Sequence, residues 1–147
     1  NKIHFYGVHD GIESRLRYQQ EFRFFPVPLD GMAAEKHFHE LGAGAHVTLA
    51  GTRVAVNDRS FHHPGNSWGY KASRDGCSVV YATDAEFKKP EPNMMGFAHE
   101  WLQGVDLLIF DSQYTFAEAM DKRDWGHCSS LIGVDLCVAH AVRTLAM

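Results

Sequence analysis

Asp106-Leu107-Leu108-Ile109-Phe110-Asp111 constrains the fold more than any other stretch of the chain. Leu107 to Phe110 is continuously apolar, too short for a helix and without polar alternation, the pattern of a strand buried on both faces. Its flanks set the architecture. Upstream, Val47-Thr48-Leu49 and Val54-Ala55-Val56 read as a hairpin around Gly51. Trp68 to Ala72 and Cys77 to Ala82 read as a second, around Asp75-Gly76. Downstream, Tyr114 to Met120 reads as a helix. Leu131, Val134, Val138 and Val142 mark the apolar face of a last helix capped by Ser129 or Ser130. Hairpins followed by helix, strand and helix imply a mixed sheet covered by helices on one side, an α/β fold of the layered α+β kind.

The rest of the chain fits around that plan. Lys2 to Tyr6 reads as a strand closed by Gly7, and Asp10 as the cap of a helix carrying Ile12 and Leu16. Each proline in Phe24-Phe25-Pro26-Val27-Pro28 disfavours helix in the residue before it, so this run is expected extended and packed on the core. Glu35 to Leu41 reads as a strand, which puts His37 and His39 on one side of it, a solvated strand face. Phe87 to Pro92 is a polar loop able to act as a rim or lid. Asn93 then starts a helix with Met94, Phe97, Ala98, Trp101 and Leu102 on its apolar side, ended by Gly104. The chain opens without Met on a strand and stops at Met147 in or just after a helical pattern, so a piece of a longer chain is expected.

Composition narrows the function classes. Hydrophobic residues at 45% and charged residues at 22% suit a globular domain with a real core. A net charge of −4 leaves no general basic surface for nucleic acid, although a local groove stays open. No apolar run approaches the ~20 residues of a membrane span. Cys77, Cys128 and Cys137 form no C-x-x-C pair and are odd in number, which reads as buried thiols in a cytoplasmic protein. Ten histidines are many for this length and favour metal or acid–base chemistry.

Four polar residues stand at the ends of these segments. His63 lies in His62-His63-Pro64-Gly65, a loop bent by Pro-Gly. Asp84 ends the strand Ser78 to Ala82, Asp111 ends the central strand, and His127 leads into the last helix. Adjacent strand ends converge on one rim in layered folds. Sharing a rim, His63 and Asp84 would make a metal site, with Asp84 able to bridge two ions. Asp111 would hold the His127 ring in one tautomer, leaving His127 to protonate a leaving group.

These residues resemble a known family. His63-Pro64-Gly65, Val79-Val80-Tyr81-Ala82-Thr83-Asp84, Asp106 to Asp111 and Gly126-His127-Cys128-Ser129, in this order and spacing, resemble the second half of the metallo-β-lactamase superfamily, closest to its ribonuclease Z-like and phosphodiesterase-like branch. The resemblance covers most of Val54 to Val142. It implies an αββα sandwich, here partial, with residues 1–147 forming a single domain that lacks its N-terminal metal motif and its C-terminal end. It implies two divalent metal ions, zinc first and iron or manganese as alternatives, with His63 as a ligand and Asp84 as the bridge. Asp111 resembles the acidic residue, and His127 the histidine, of the pair that assists phosphodiester cleavage in that branch. The departures are specific. Phe110 stands where that branch often has a histidine, Asp111 is shorter than the expected glutamate, and no His-x-His-x-Asp-His motif is present.

The function implied is a metal-dependent hydrolase of phosphodiester bonds, in which a metal-bridging hydroxide attacks and His127 assists the leaving group. The substrate would be a small-molecule or nucleotide-type phosphodiester, with no membrane partner and a homo-oligomer open. Two alternatives stand beside it: a hydrolase of another ester, a lactone or a β-lactam, and a non-catalytic scaffold or interaction domain, which the missing motif would suit.

Overall fold

A computed structural model describes residues 1–87 and 100–147. The chain forms two compact units, Asn1–Gly42 and Ala43–Met147.

The first unit is a parallel pair, β1 (Lys2–Gly7) and β2 (Glu35–Glu40), joined through helix α1 (Ile12–Gln19). The helix start departs from expectation. Gly11, not Asp10, is the N-cap, with a left-handed φ of 69° that favours glycine. Its N–H donates to Glu40 Oε1 at 2.7 Å, so the end of β2 satisfies the first free amide of the helix. The Phe24–Pro28 run is a second correction. Phe24 and Phe25 donate their N–H groups back to the Glu21 carbonyl, which makes a turn of the segment. Phe24, Phe25 and Val27 are exposed rather than packed on the core. His37 and His39 do share one face of β2. That face is a ring stack with His4 and Tyr6 of β1, and His4 Nδ1 lies 2.9 Å from His39 Nε2.

The second unit is a six-stranded mixed sheet in the order β3 (His46–Leu49), β4 (Thr52–Val56), β5 (Tyr70–Arg74), β6 (Cys77–Ala82), β7 (Leu107–Phe110) and β8 (Thr144–Ala146). Both expected hairpins form, and β7 and β8 add in parallel beyond β6. Asp75 and Gly76, at φ 50° and 78°, make the two-residue turn whose twist matches the strands it joins. Helices α2 (Phe116–Asp121) and α3 (Ser130–His140) complete it. Thr115 and Glu118 cap α2 reciprocally, each side chain bonding the other residue's amide. The layered mixed α/β plan expected from the element order is the one observed.

The core lies where β6 and β7 turn Val80, Ala82, Leu108 and Phe110 to one face, against Phe61, Ala85, Leu102, Val105 and Cys128. Leu107 and Ile109, on the other face of β7, are only partly covered, so that strand is fully buried on one face alone. The last helix is rotated from expectation. Leu131, Val134 and Val138 face outward and are exposed, whereas Ile132, Leu136 and Cys137 pack on the core. Gly133 decides this. A Cβ there would meet Phe110 Cδ1 at 2.8 Å, so the helix rests its one bare backbone position on the central strand. The helix ends at His140 and the chain beyond it forms β8, a strand that the helical pattern before Met147 does not announce. The Phe87–Pro92 loop beyond Phe87, and Met94, Phe97 and Ala98 of the expected helix, lie outside the described residues; residues 100–102 are helical. Among the described residues no helix is long and apolar enough to cross a membrane.

Candidate metal centre

Four chain segments meet at the ends of β6 and β7. The first is a small closed loop. Phe61 pairs with Ser67, Asn66 donates its N–H to the His63 carbonyl at 2.9 Å, and Gly65 and Asn66 take φ of 84° and 63°. Pro64-Gly65 thus forms the tip of a ring with His63 at its shoulder. Ser67 Oγ donates to the Thr83 carbonyl at 3.1 Å, tying this ring to the chain leaving β6.

The second segment carries Asp84. It turns out of the strand with φ 52°, a left-handed conformation that costs a non-glycine residue about 1–2 kcal/mol and is least unfavourable for Asp and Asn. The strain presents an exposed carboxylate. Asp84 Oδ1 lies 4.0 Å from His63 Nε2 and 4.0 Å from His127 Nδ1.

The third and fourth segments carry Asp111 and His127. Asp111 is buried at the end of β7, and its Oδ2 lies 2.6 Å from His127 Nδ1. The rest of the carboxylate is taken up by backbone amides: Ala85 donates to Oδ2 at 3.3 Å, and Gln113 and Cys128 donate to Oδ1 at 3.2 and 3.3 Å. Asp111 therefore serves as a hub that orients the ring. An Nδ1–H donated to Asp111 leaves Nε2 as the free lone pair of His127. Tyr114 and His63 pack edge-on against the same imidazole, with ring centroids 5.9 and 5.3 Å away.

All four residues singled out in the sequence come together here. His63, Asp84 and His127 each offer one ligand atom within 4.8 Å of the others, a set of two nitrogens and one oxygen that suits a zinc-like divalent ion. Among the described residues, one other group meets the same criterion, His62, Glu86 and Asp124. The pair His37 and His39 is in neither group and belongs to the first unit.

Three neighbours of the site are not among the candidate site residues of the sequence, although Gly126 and Cys128 lie in the segment around His127 that carries the resemblance. Glu86 is buried and accepts from the amides of Asp124 and Gly126. Gly126, at φ 88°, lies so close to His63 that a Cβ would meet its Cδ2 at 2.5 Å. Cys128 Sγ accepts from the Phe87 amide at 3.0 Å, and burial pushes its thiol pKa up to about 12. Cys128 belongs to neither group of candidate ligands, and its buried thiol packs against the core. The only hint of Gly126 was its place before His127.

The family model described as the β-lactamase superfamily domain matches residues 1–146. The metallo-β-lactamase fold protein YhfI from Bacillus subtilis is similar, with a TM-score of 0.68 at 14% identity, over 98% of this chain and 49% of that one. Human tRNase Z, short form, gives a TM-score of 0.70 at 14% identity, over 99% of this chain and 60% of that one. A mutant of the CmlA β-hydroxylase gives 0.54 at 13% identity, over 74% of this chain and 25% of its own. The chain thus spans about half to three-fifths of the length of the first two. No curated protein matches.

Proposed function

The chain belongs to the metallo-β-lactamase superfamily, and from that premise we propose that it is a metal-dependent hydrolase acting on phosphodiester bonds. The observation that carries this reading is the Asp111–His127 pair, 2.6 Å apart, set beside the His63–Asp84–His127 ligand group. His63 and Asp84 would hold the metal, with zinc the first choice from the nitrogen and oxygen donors and a second ion bridged through Asp84. When bound, such ions supply Lewis-acid polarisation of a phosphoryl oxygen and activation of water. The remaining work falls to this chain's own groups. Asp111 holds the His127 ring through Nδ1–H, so the opposite nitrogen, Nε2, first takes up a proton to give the imidazolium and then passes that proton to the departing oxygen of a small-molecule or nucleotide-type phosphodiester, returning to the neutral ring. His127 contributes either to the metal shell or to the leaving group, and the variants below separate the two. The three free cysteines favour a reducing, cytoplasmic setting.

The test pairs metal content with turnover of bis-(p-nitrophenyl) phosphate. Asp84→Ala is expected to remove bound metal and activity together. His127→Ala is expected to keep metal and lower turnover ~10²–10⁴-fold. Full activity in the His127 variant would exclude its proton-transfer role, and loss of metal would make it a ligand. Chromogenic esters, a lactone and a β-lactam run in parallel test the other hydrolase substrates. A second reading, as an interaction domain without catalysis, is favoured by one observation: the group contains three donor residues, fewer than two metal ions normally take. Absence of metal in the wild-type protein would decide for it.

A further inference from the structure

We infer that Glu86 is a positioning residue that clamps the His127 loop onto the His63 loop and so sets the geometry of the metal centre. This rests on the reading of that centre given above.

The evidence is a set of bonds made by three consecutive residues just after Asp84. Ala85 donates its amide to Asp111, and Phe87 donates its amide to Cys128 Sγ. Between them, Glu86 reaches three ways. Its amide donates to the His62 carbonyl at 3.1 Å, where the two residues form a β-bridge. Its Oε1 accepts from the Asp124 amide at 3.1 Å, and its Oε2 accepts from the Gly126 amide at 2.9 Å. One residue therefore connects the neighbours of His63, Asp84 and His127.

The local backbone makes this necessary. Asp124 and Gly126 both take left-handed φ, at 69° and 88°, outside any helix or strand, and their amides are received by the Glu86 carboxylate. Such amides without an acceptor would be costly, and a carboxylate is the strongest acceptor for two at once. The side chain of Glu86 is only 8% exposed, so water does not compete well for these bonds. Gly126 completes the device. With no Cβ it lies against His63 and Pro64, where a Cβ would meet His63 Cδ2 at 2.5 Å and Pro64 Cδ at 2.7 Å. His62 and Asp124 close the rim outside, 3.2 Å apart. Each oxygen of the Glu86 carboxylate accepts one of the two amides, so within His62, Glu86 and Asp124 this side chain acts as a brace.

The test uses Glu86→Gln, which keeps the shape and one acceptor oxygen, and Glu86→Ala, which keeps none, in the full chain. Three readouts are taken: amide exchange at Gly126, ring nitrogen chemical shifts of His63 and His127 in metal-free protein, and affinity for zinc alone by dye competition. Expected are faster exchange at Gly126, shifted ring resonances with the β3–β6 resonances unmoved, and zinc affinity lower by ~10–100-fold, Ala beyond Gln. Unmoved ring resonances in a folded Glu86→Gln protein would overturn the inference. Should both variants fail to fold, the wild type decides, because an unprotected Gly126 amide would also overturn it. A wild type that takes up no zinc would sink the hydrolase reading and leave the exchange and ring-shift readouts to judge the clamp.

Discussion

The Asp111 carboxylate accepts from one imidazole and three backbone amides, so both oxygens are committed. Asn at this position would turn an NH2 group toward donors that need an acceptor, and would no longer fix the His127 tautomer. Asp111→Asn is therefore expected to lower turnover by ~10–100-fold or more while metal content holds, measured as kcat beside elemental analysis. The thiols give a second expectation at this scale. Cys77 is exposed, whereas Cys128 is buried with its pKa pushed up to about 12. At pH 8 a thiol reagent should modify Cys77 in the native protein and reach Cys128 only after unfolding, which peptide mapping would show. The sign of the linkage agrees. A thiol whose folded pKa is raised contributes stability below its unfolded value near 9 and loses it as pH climbs toward about 12. The native protein should therefore weaken on the alkaline side through this residue. At the residue scale the sequence was informative where the chemistry itself names the amino acid. His63, Asp84, Asp111 and His127 stood at segment ends. Glu86 did not, because accepting two distant amides leaves no local pattern.

Helix α3 shows how a face is chosen. Its sequence is apolar almost all round, so both Leu131-Val134-Val138 and Ile132-Leu136-Cys137 are candidate inner faces. Periodicity alone does not separate them. Packing does, because Gly133 permits a close approach to Phe110 that no side chain would allow. Gly133→Ala is expected to cost ~1–3 kcal/mol by overpacking against Phe110, despite the better helix propensity of Ala, and thermal denaturation would read it. A neutral or stabilising result would mean that α3 does not rest on the central strand. The hairpin around Asp75-Gly76 is the opposite case. A two-residue turn with both φ positive has few sequence solutions, and this chain carries one of them.

The whole second unit brings the ends of β6 and β7, the Pro-Gly loop and the loop before α3 to one place, so a bound ion would tie together segments as far apart in the chain as His63 and His127. Binding that exists only in the folded state stabilises it, by about 2.7 kcal/mol at free zinc 100 times Kd. Zinc is therefore expected to raise Tm by several degrees, a chelator to reverse it, and Asp84→Ala to show neither effect in a thermal scan. By itself the sequence determined the strands other than β8, the hairpins, the mixed layered plan and four polar residues at segment ends that meet at one rim. Each of these rests on local chemistry: apolar runs, a turn that needs positive φ, a carboxylate or imidazole at a segment end. Only the tertiary structure decided which face of α3 turns inward, that Gly11 rather than Asp10 starts α1, that Phe24 and Phe25 stay exposed, and that Glu86 and Gly126 hold the His127 loop against His63. Each of those depends on residues far apart in the chain meeting at van der Waals or hydrogen-bond distance, which no local pattern encodes.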